Sequence, residues 1–207
     1  FGGESWEASD KNVKVSSTRD GGFAIVSSTE SRALLPPRTH LGIYLSRIDS
    51  NGETLWERTY AVSGEEALGH DVRKLGDGDF AVAGERDGAV WLLRTSNEGD
   101  LVWDTTLEAT SSRGRTPLVT TSNEGIVVGN RITSSDGRTG TDAYFVGVDS
   151  TGEPTWRRRI GDSGSHRVLS MVQREGGIVA LCAGPNRKPY LVKLAATDEM
   201  SLVSGTQ

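Results

Sequence analysis

Cysteine is nearly absent from the chain, with Cys182 the one instance in 207 residues. No internal disulfide can form, and the apolar setting IVALCAG (178–184) marks Cys182 as a small core residue rather than a nucleophile. Cysteine usage leaves the compartment open. Long apolar runs are also missing. None approaches the roughly 18 residues that a membrane-spanning helix needs, and no signal-peptide pattern opens the chain, so no membrane insertion by this segment is expected. An excess of positive charge is lacking too. The 23 Lys and Arg are interspersed with 28 Asp and Glu, giving a net charge of -5, which offers no extended basic field for a phosphate backbone and excludes nucleic acid as the expected partner. Histidine is scarce, at three residues, and no nucleophile motif or metal-ligand spacing surrounds any of them. With 35 % apolar and 6 % aromatic residues, the composition suits a globular fold and is lean for a helical one.

What the chain does hold is repetition. IDSNGETLW (48–56), TSNEGDLVW (95–103) and VDSTGEPTW (148–156) place Trp56, Trp103 and Trp156 at intervals of 47 and 53. A second ladder, Tyr44, Trp91, Tyr144 and Tyr190, keeps the same beat at 47, 53 and 46. Three places after each of these aromatics stands Arg47, Arg94, Gly147 or Lys193. A third ladder precedes it in RDGGFAIV, GDGDFAVA, SNEGIVV and REGGIVAL. Three ladders in phase define a repeat of about fifty residues.

Each unit reads as four short strands joined by turns of the DGG, SNEG and DSNG kind, whose Gly and Asn supply the positive φ of tight hairpins. Several strands are apolar on both faces, as in sheets packed between neighbouring sheets. The expected fold is all-β, a β-propeller of four antiparallel four-stranded blades, with half or a fragment of a larger propeller as the alternative. The expected domain is 1–207, with repeats at about 1–59, 60–106, 107–159 and 160–207. In this reading the Asp/Ser-x-x-Gly turn closes the third strand onto the fourth, and the tryptophan on that outer strand covers the seam to an adjacent blade. Asp49 and Asp149 are read as Asx-turn acceptors, because they lack the dense Asp/Asn run of a calcium loop. Arg157, Arg158 and Arg159 follow Trp156 on the same outer strand, where charge discourages edge-to-edge pairing.

The segments DGGFAIVSS and IYLSRIDSNGETLWERTY, with Val62-Ser63-Gly64 and Asp162-Ser163-Gly164 as linkers, resemble the extracellular β-propeller repeats of bacterial and archaeal surface proteins. In that family, units of the form DGGYIVAG and then YLVKLDSNGNLLW recur in tandem. The spacing Asp-x-x-Gly-x-x-x-Trp is also close to the tryptophan-docking motif of PQQ dehydrogenase propellers, one residue shorter between Asp and Gly. The resemblance covers essentially the whole chain and implies a secreted or cell-surface location. It is nearly silent about activity, because propellers host binding, scaffolding and catalysis alike. The fourth unit departs from the pattern, with LAATDEMSLVS where a Gly turn and a Trp are expected. The chain opens on Phe1 at a repeat boundary, which suggests a piece of a longer precursor.

In a propeller, the connections from strand two to strand three and from strand four to the next strand one open at the same end of the blades. The long, irregular connections are expected there, at Ser27–Leu41, Glu85–Gly88, Asn130–Asp142 and Gly184–Pro189, and binding concentrates on such loops. The candidate binding residues on the second-to-third connections are Arg32, Arg38, His40, Arg131, Asp136, Arg138, Arg187 and Lys188. Those on the inter-blade linkers are Glu65, Glu66, His70, Arg113, Arg115, Asp162 and His166, and Arg167 adds a further charge there. The histidines are read as solvated surface residues. No catalytic or metal-ligating residue and no cofactor is assigned. The expected function is non-catalytic binding or scaffolding that recognises a protein or glycan through this face. A cofactor-dependent or hydrolytic propeller enzyme is the alternative from another class, and self-association of surface subunits is a third.

Overall fold

Runs rich in Val, Ile, Leu and aromatics, cut by Gly- and Asp-containing turns, form strands throughout. The computed structural model describes residues 6–32, 39–60, 65–109, 115–121, 125–134 and 139–195. The chain divides into two compact units, Phe1–Glu108 and Ala109–Gln207.

In the first unit, β1 (Trp6–Ser17), β2 (Phe23–Arg32), β3 (Thr39–Ile48) and β4 (Thr54–Tyr60) form one antiparallel sheet in chain order. A second is made by β5 (Ala67–Lys74), β6 (Phe80–Arg86), β7 (Ala89–Thr95) and β8 (Leu101–Ala109), also in chain order. In the second unit, β9 (Leu118–Thr120), β10 (Ile126–Thr133), β11 (Gly140–Val148) and β12 (Pro154–Ile160) form a third sheet, which β13 (Gly164–Ser165) joins alongside β11. The fourth holds β14 (Arg167–Arg174), β15 (Gly177–Ala183) and β16 (Pro189–Ala195), the last two joined through a 3-10 turn at Pro185–Arg187. The fold is all-β, four antiparallel sheets of the β-propeller blade kind, and no α-helix occurs among the described residues. The fourth strand expected in the last blade, at SLVS, lies outside the described residues.

The central strands carry the core. In β6 and β11 nearly every residue is buried whichever face it points to, whereas β4 and β12 are mostly exposed. One core cluster joins the first two blades through residues such as Val26, Leu45, Val72, Phe80 and Leu93, and another joins the third and fourth through Val127, Phe145, Met171, Ala180 and Val192.

Within the first unit, Trp56 reaches from β4 across to the second blade. Its Nε1 donates to the carbonyl of Asn97 at 2.9 Å, and its ring meets Phe80 edge-on at 6.1 Å. Tyr60 Oη likewise donates to the carbonyl of Gly99, at 2.7 Å. The receiving turn must be narrow here. A Cβ on Gly99, which has φ +85°, would stand 2.9 Å from the indole. The turn that in one blade links strand to strand is thus also the dock for the preceding blade's tryptophan. Trp156 packs on the core of the second unit, and its indole lies over Gly147, where a Cβ would meet Nε1 at 2.1 Å.

The basic residues after the aromatic ladder clamp the glycine-rich turn of their own blade. Arg47 is buried and pairs with Asp20, while donating to the carbonyls of Phe23 and Ile48. Arg94 does the same for Asp79, at 2.9 Å, and Asp77. Hydrogen bonds from Thr18, the Gly22 amide and Arg47 hold the Asp20 carboxyl down at about 2. Asp49 Oδ1 accepts the amides of Asn51 at 2.8 Å and Glu53 at 2.9 Å, and Asp149 accepts those of Thr151 and Glu153, so both carboxylates serve their turns as expected.

Candidate functional site

At the end of the third and fourth blades where β10 passes to β11, β12 to β14 and β15 to β16, three backbone segments meet. Gly140, at φ +127°, lets the linker press onto β11. A Cβ there would sit 2.0 Å from the carbonyl of Gly164, itself at φ +109°. This close approach allows Gly140 to pair with Gly164 and Thr141 with Ser165 in parallel. The bridge continues at His166, whose amide donates to the Thr141 carbonyl at 2.6 Å, while Thr141 Oγ1 donates to the His166 carbonyl at 2.9 Å.

The His166 side chain is buried and engaged at both nitrogens. Nε2 lies 2.8 Å from Asp162 Oδ1, and Nδ1 lies 3.0 Å from Tyr190 Oη. With the carboxylate accepting from Nε2–H, Nδ1 is the acceptor for the phenol proton. Burial and the neighbouring Cys182 push the Tyr190 hydroxyl well above its ordinary value, so it remains a donor at neutral pH. The tyrosine ring meets the imidazole edge-on at 5.7 Å. The chain Asp162–His166–Tyr190 therefore ties the linker to β16 and leaves no imidazole nitrogen directed at solvent.

Beside it opens a cleft of about 410 Å³. Its charged lining is Arg131 from β10, Arg167 at the start of β14 and Arg187 from the 3-10 turn. Thr141, Ser165 and Asn186 add hydroxyl and amide groups. Asn186 and Arg187 are both left-handed, at φ 56° and 60°. Asn adopts that conformation readily, but for Arg it is costly, and the neighbouring structure must impose it. Two hydrogen bonds do so in part, from the Arg187 amide to the Gly184 carbonyl at 3.1 Å and from the Gly184 amide to the Lys188 carbonyl at 2.8 Å. A smaller cavity of about 260 Å³ lies at the opposite end of these blades, around Gly147 and Trp156; among the described residues its one titratable lining group is Asp149, and that carboxylate is occupied by its own turn.

The corresponding end of the first unit is arranged differently. Arg86 makes ion pairs with Glu65 at 3.2 Å and Asp104 at 3.4 Å, donates to Thr106 Oγ1 at 2.6 Å, and stacks 4.9 Å over the Trp91 ring. The Glu65 contact is a charge pairing without hydrogen-bond alignment, and the Glu66 amide is taken by Asp87 Oδ1 at 2.9 Å.

Of the candidate binding residues, the structure brings Arg131, His166 and Arg187 together at the cleft, with Lys188 exposed one residue beyond. Asp162 stands behind His166 as its hydrogen-bond partner. Arg115 is exposed on the approach to β9. Glu65 and Glu66 belong to the first unit and hold its linker, as above. Arg38, Arg113, Asp136 and Arg138 lie outside the described residues. Three expectations need correction. His70 and His166 are not solvated surface residues: they are 3 % and 7 % exposed, because His70 lies inside strand β5 rather than on a linker and His166 is bridged to Thr141 of β11. Arg32 and His40 are strand residues rather than loop residues, since β2 and β3 continue pairing through Ser31 with His40 and Arg32 with Thr39. The Glu85–Gly88 connection is not long; Asp87 and Gly88, both at positive φ, make a two-residue hairpin turn. Arg167, expected among the linker charges of this face, also lines the cleft, whereas Thr141, Ser165 and Tyr190 are not among the expected residues. Thr141 and Ser165 reach the cleft only through strand register, and Tyr190 stands against His166 without lining it.

The class of fold finds a counterpart among solved structures. A crystal structure of a protein of unknown function from Bacteroides caccae is similar, with a TM-score of 0.54 and 14 % identity over 92 % of this chain. The match spans 60 % of that longer protein. At this identity the likeness shows the fold alone. No family model and no curated protein matches the sequence.

Proposed function

We propose that this chain is a non-catalytic recognition module of a secreted or cell-surface protein, binding through the end of the blades that carries the Arg131–His166–Arg187 cleft. The observation that carries the reading is the cleft itself: a concave, solvent-open site on a strand scaffold, with guanidinium groups and, among the described residues, no activated nucleophile beside them. His166 is the one imidazole there, and both of its nitrogens are committed to Asp162 and Tyr190, which supports a positioning role over acid–base chemistry. The location follows from the repeat resemblance, in which DGGFAIVSS and IYLSRIDSNGETLWERTY look like surface-propeller units of the PQQ-like kind. A protein or a glycan is the ligand class this face would recognise.

The test is binding of the purified chain to immobilised panels of oligosaccharides and of candidate surface proteins, comparing wild type with Arg131→Ala/Arg187→Ala. A ligand retained by wild type and lost by the double variant, at unchanged thermal unfolding, supports the reading. Retention by both would remove this face as the binding surface.

A further inference from the structure

The geometry points to the cleft as a site for a sugar acid, that is, a hexuronate unit of an acidic glycan held by its carboxylate. The inference rests on the binding-module reading and names its ligand class. The first support is the state of the arginines. In the first unit Arg47, Arg86 and Arg94 each face a carboxylate of their own blade. Arg167 and Arg187 are exposed, and among the described residues neither has an acidic partner within ion-pair distance. Two such guanidiniums on one concave surface present planar, bidentate donors to an oxyanion.

The second support is the charge of the whole unit. Residues 109–207 carry 12 Lys and Arg against 9 Asp and Glu, a net of +3, whereas residues 1–108 carry 11 against 19, a net of -8. A chain that is acidic overall thus gathers its acidic residues in the first unit and leaves the unit that holds the cleft net positive, which favours the approach of anions there. The acid nearest the arginines in sequence, Asp162, has its carboxylate turned to His166 Nε2.

The third support separates sugar from protein. Protein epitopes are usually anchored by aromatic or large aliphatic side chains in apolar pockets. Here the apolar side chains among the described lining residues are those of Ala183 and Pro185, and the rest is guanidinium, imidazole, hydroxyl, amide and backbone. Thr141, Ser165 and Asn186 match a body rich in hydroxyl groups, and about 410 Å³ falls in the range of small-ligand sites. The left-handed Asn186–Arg187 pair fixes Arg187 at the rim.

Isothermal titration with trimers of galacturonate, glucuronate and mannuronate, with galactotriose as the neutral control and a glutamate hexapeptide as the acidic-protein control, tests this. At least one uronate trimer is expected to bind in low salt, to weaken as salt rises, and to lose tenfold or more in affinity in Arg167→Ala/Arg187→Ala. Arg167→Lys/Arg187→Lys, which keeps charge but not the bidentate fork, is expected to fall between the two. Variants are compared only at matched unfolding temperature. Binding of no uronate, or uronate binding indifferent to both double variants, overturns the inference. Galactotriose binding as well as the acids overturns the carboxylate requirement while leaving the recognition module standing. Preference for the hexapeptide overturns the assignment to a glycan.

Discussion

Removing the Trp56 indole measures how much one blade gains by docking on the next. Trp56 is half-buried, donates to the Asn97 carbonyl and packs on Phe80. Half of the area that a tryptophan typically buries is about 100 Å², worth about 2.5 kcal/mol at ~25 cal/mol per Å². The hydrogen bond contributes about 1 kcal/mol and the edge-on ring pair about 0.5 kcal/mol. Trp56→Ala is therefore expected to cost about 4 kcal/mol, within the usual range for such truncations. Trp56→Phe, which keeps most of the ring contact and loses the donor, is expected to cost about 1–1.5 kcal/mol. Urea unfolding followed by far-UV circular dichroism provides the assay. If the two units unfold in separate steps, the loss falls on the step belonging to Phe1–Glu108. A cost below about 1 kcal/mol for Trp56→Ala would refute the seam role, and equal costs for both variants would refute the division between ring and hydrogen bond.

Further outcomes follow from other sites. Asp20 has its folded pKa at about 2, below the ordinary 3.8, so its stabilisation is present above the ordinary value and lost as pH falls through 2. Asp20→Asn should flatten the decline in stability between pH 4 and 2, and an unaltered pH profile would contradict the clamp on its turn. Gly140→Ala forces a Cβ against the Gly164 carbonyl at positive φ and should destabilise the second unit by about 2–3 kcal/mol; a neutral effect in thermal unfolding would deny that close approach. Burial pushes the Cys182 thiol up to about 11. It should resist a thiol reagent at pH 8 until the protein is denatured, and rapid labelling of the native chain would place it outside the core.

The blades were legible because their signals are local. DSNG and DGG turns, the aromatic ladder and the double-sided apolar strands each follow from a few neighbouring residues, and their phase exposes the repeat. Trp56 as a seam residue was equally readable, since a recurring large aromatic on an outer strand needs a neighbour to cover it. The role of Arg47 and Arg94 was only half visible: the sequence marks their register, but the aspartates they clamp come from a turn 15 to 27 positions earlier. The cleft was legible as a set of loops and not as a constellation. His166 finds Tyr190 24 residues away because β14 and β16 flank β15 in a particular register, and Gly140 meets Gly164 because two glycines remove the atoms that would separate the chains. Strand ends were misjudged at SSTESR, where polar residues continue the pairing of β2 with β3 and resemble a loop in composition.

The central claim is that ligand enters at the cleft end of the second unit. Its most direct test is a titration of the isotopically labelled chain with the uronate trimers, followed by amide chemical-shift mapping. The account predicts shifts confined to the surroundings of Arg131, Thr141, Gly164–Arg167 and Ala183–Arg187. Shifts centred on the opposite turns, at Asp49–Glu53 or Asp149–Glu153, or on the Glu65–Arg86 side of the first unit, would contradict it.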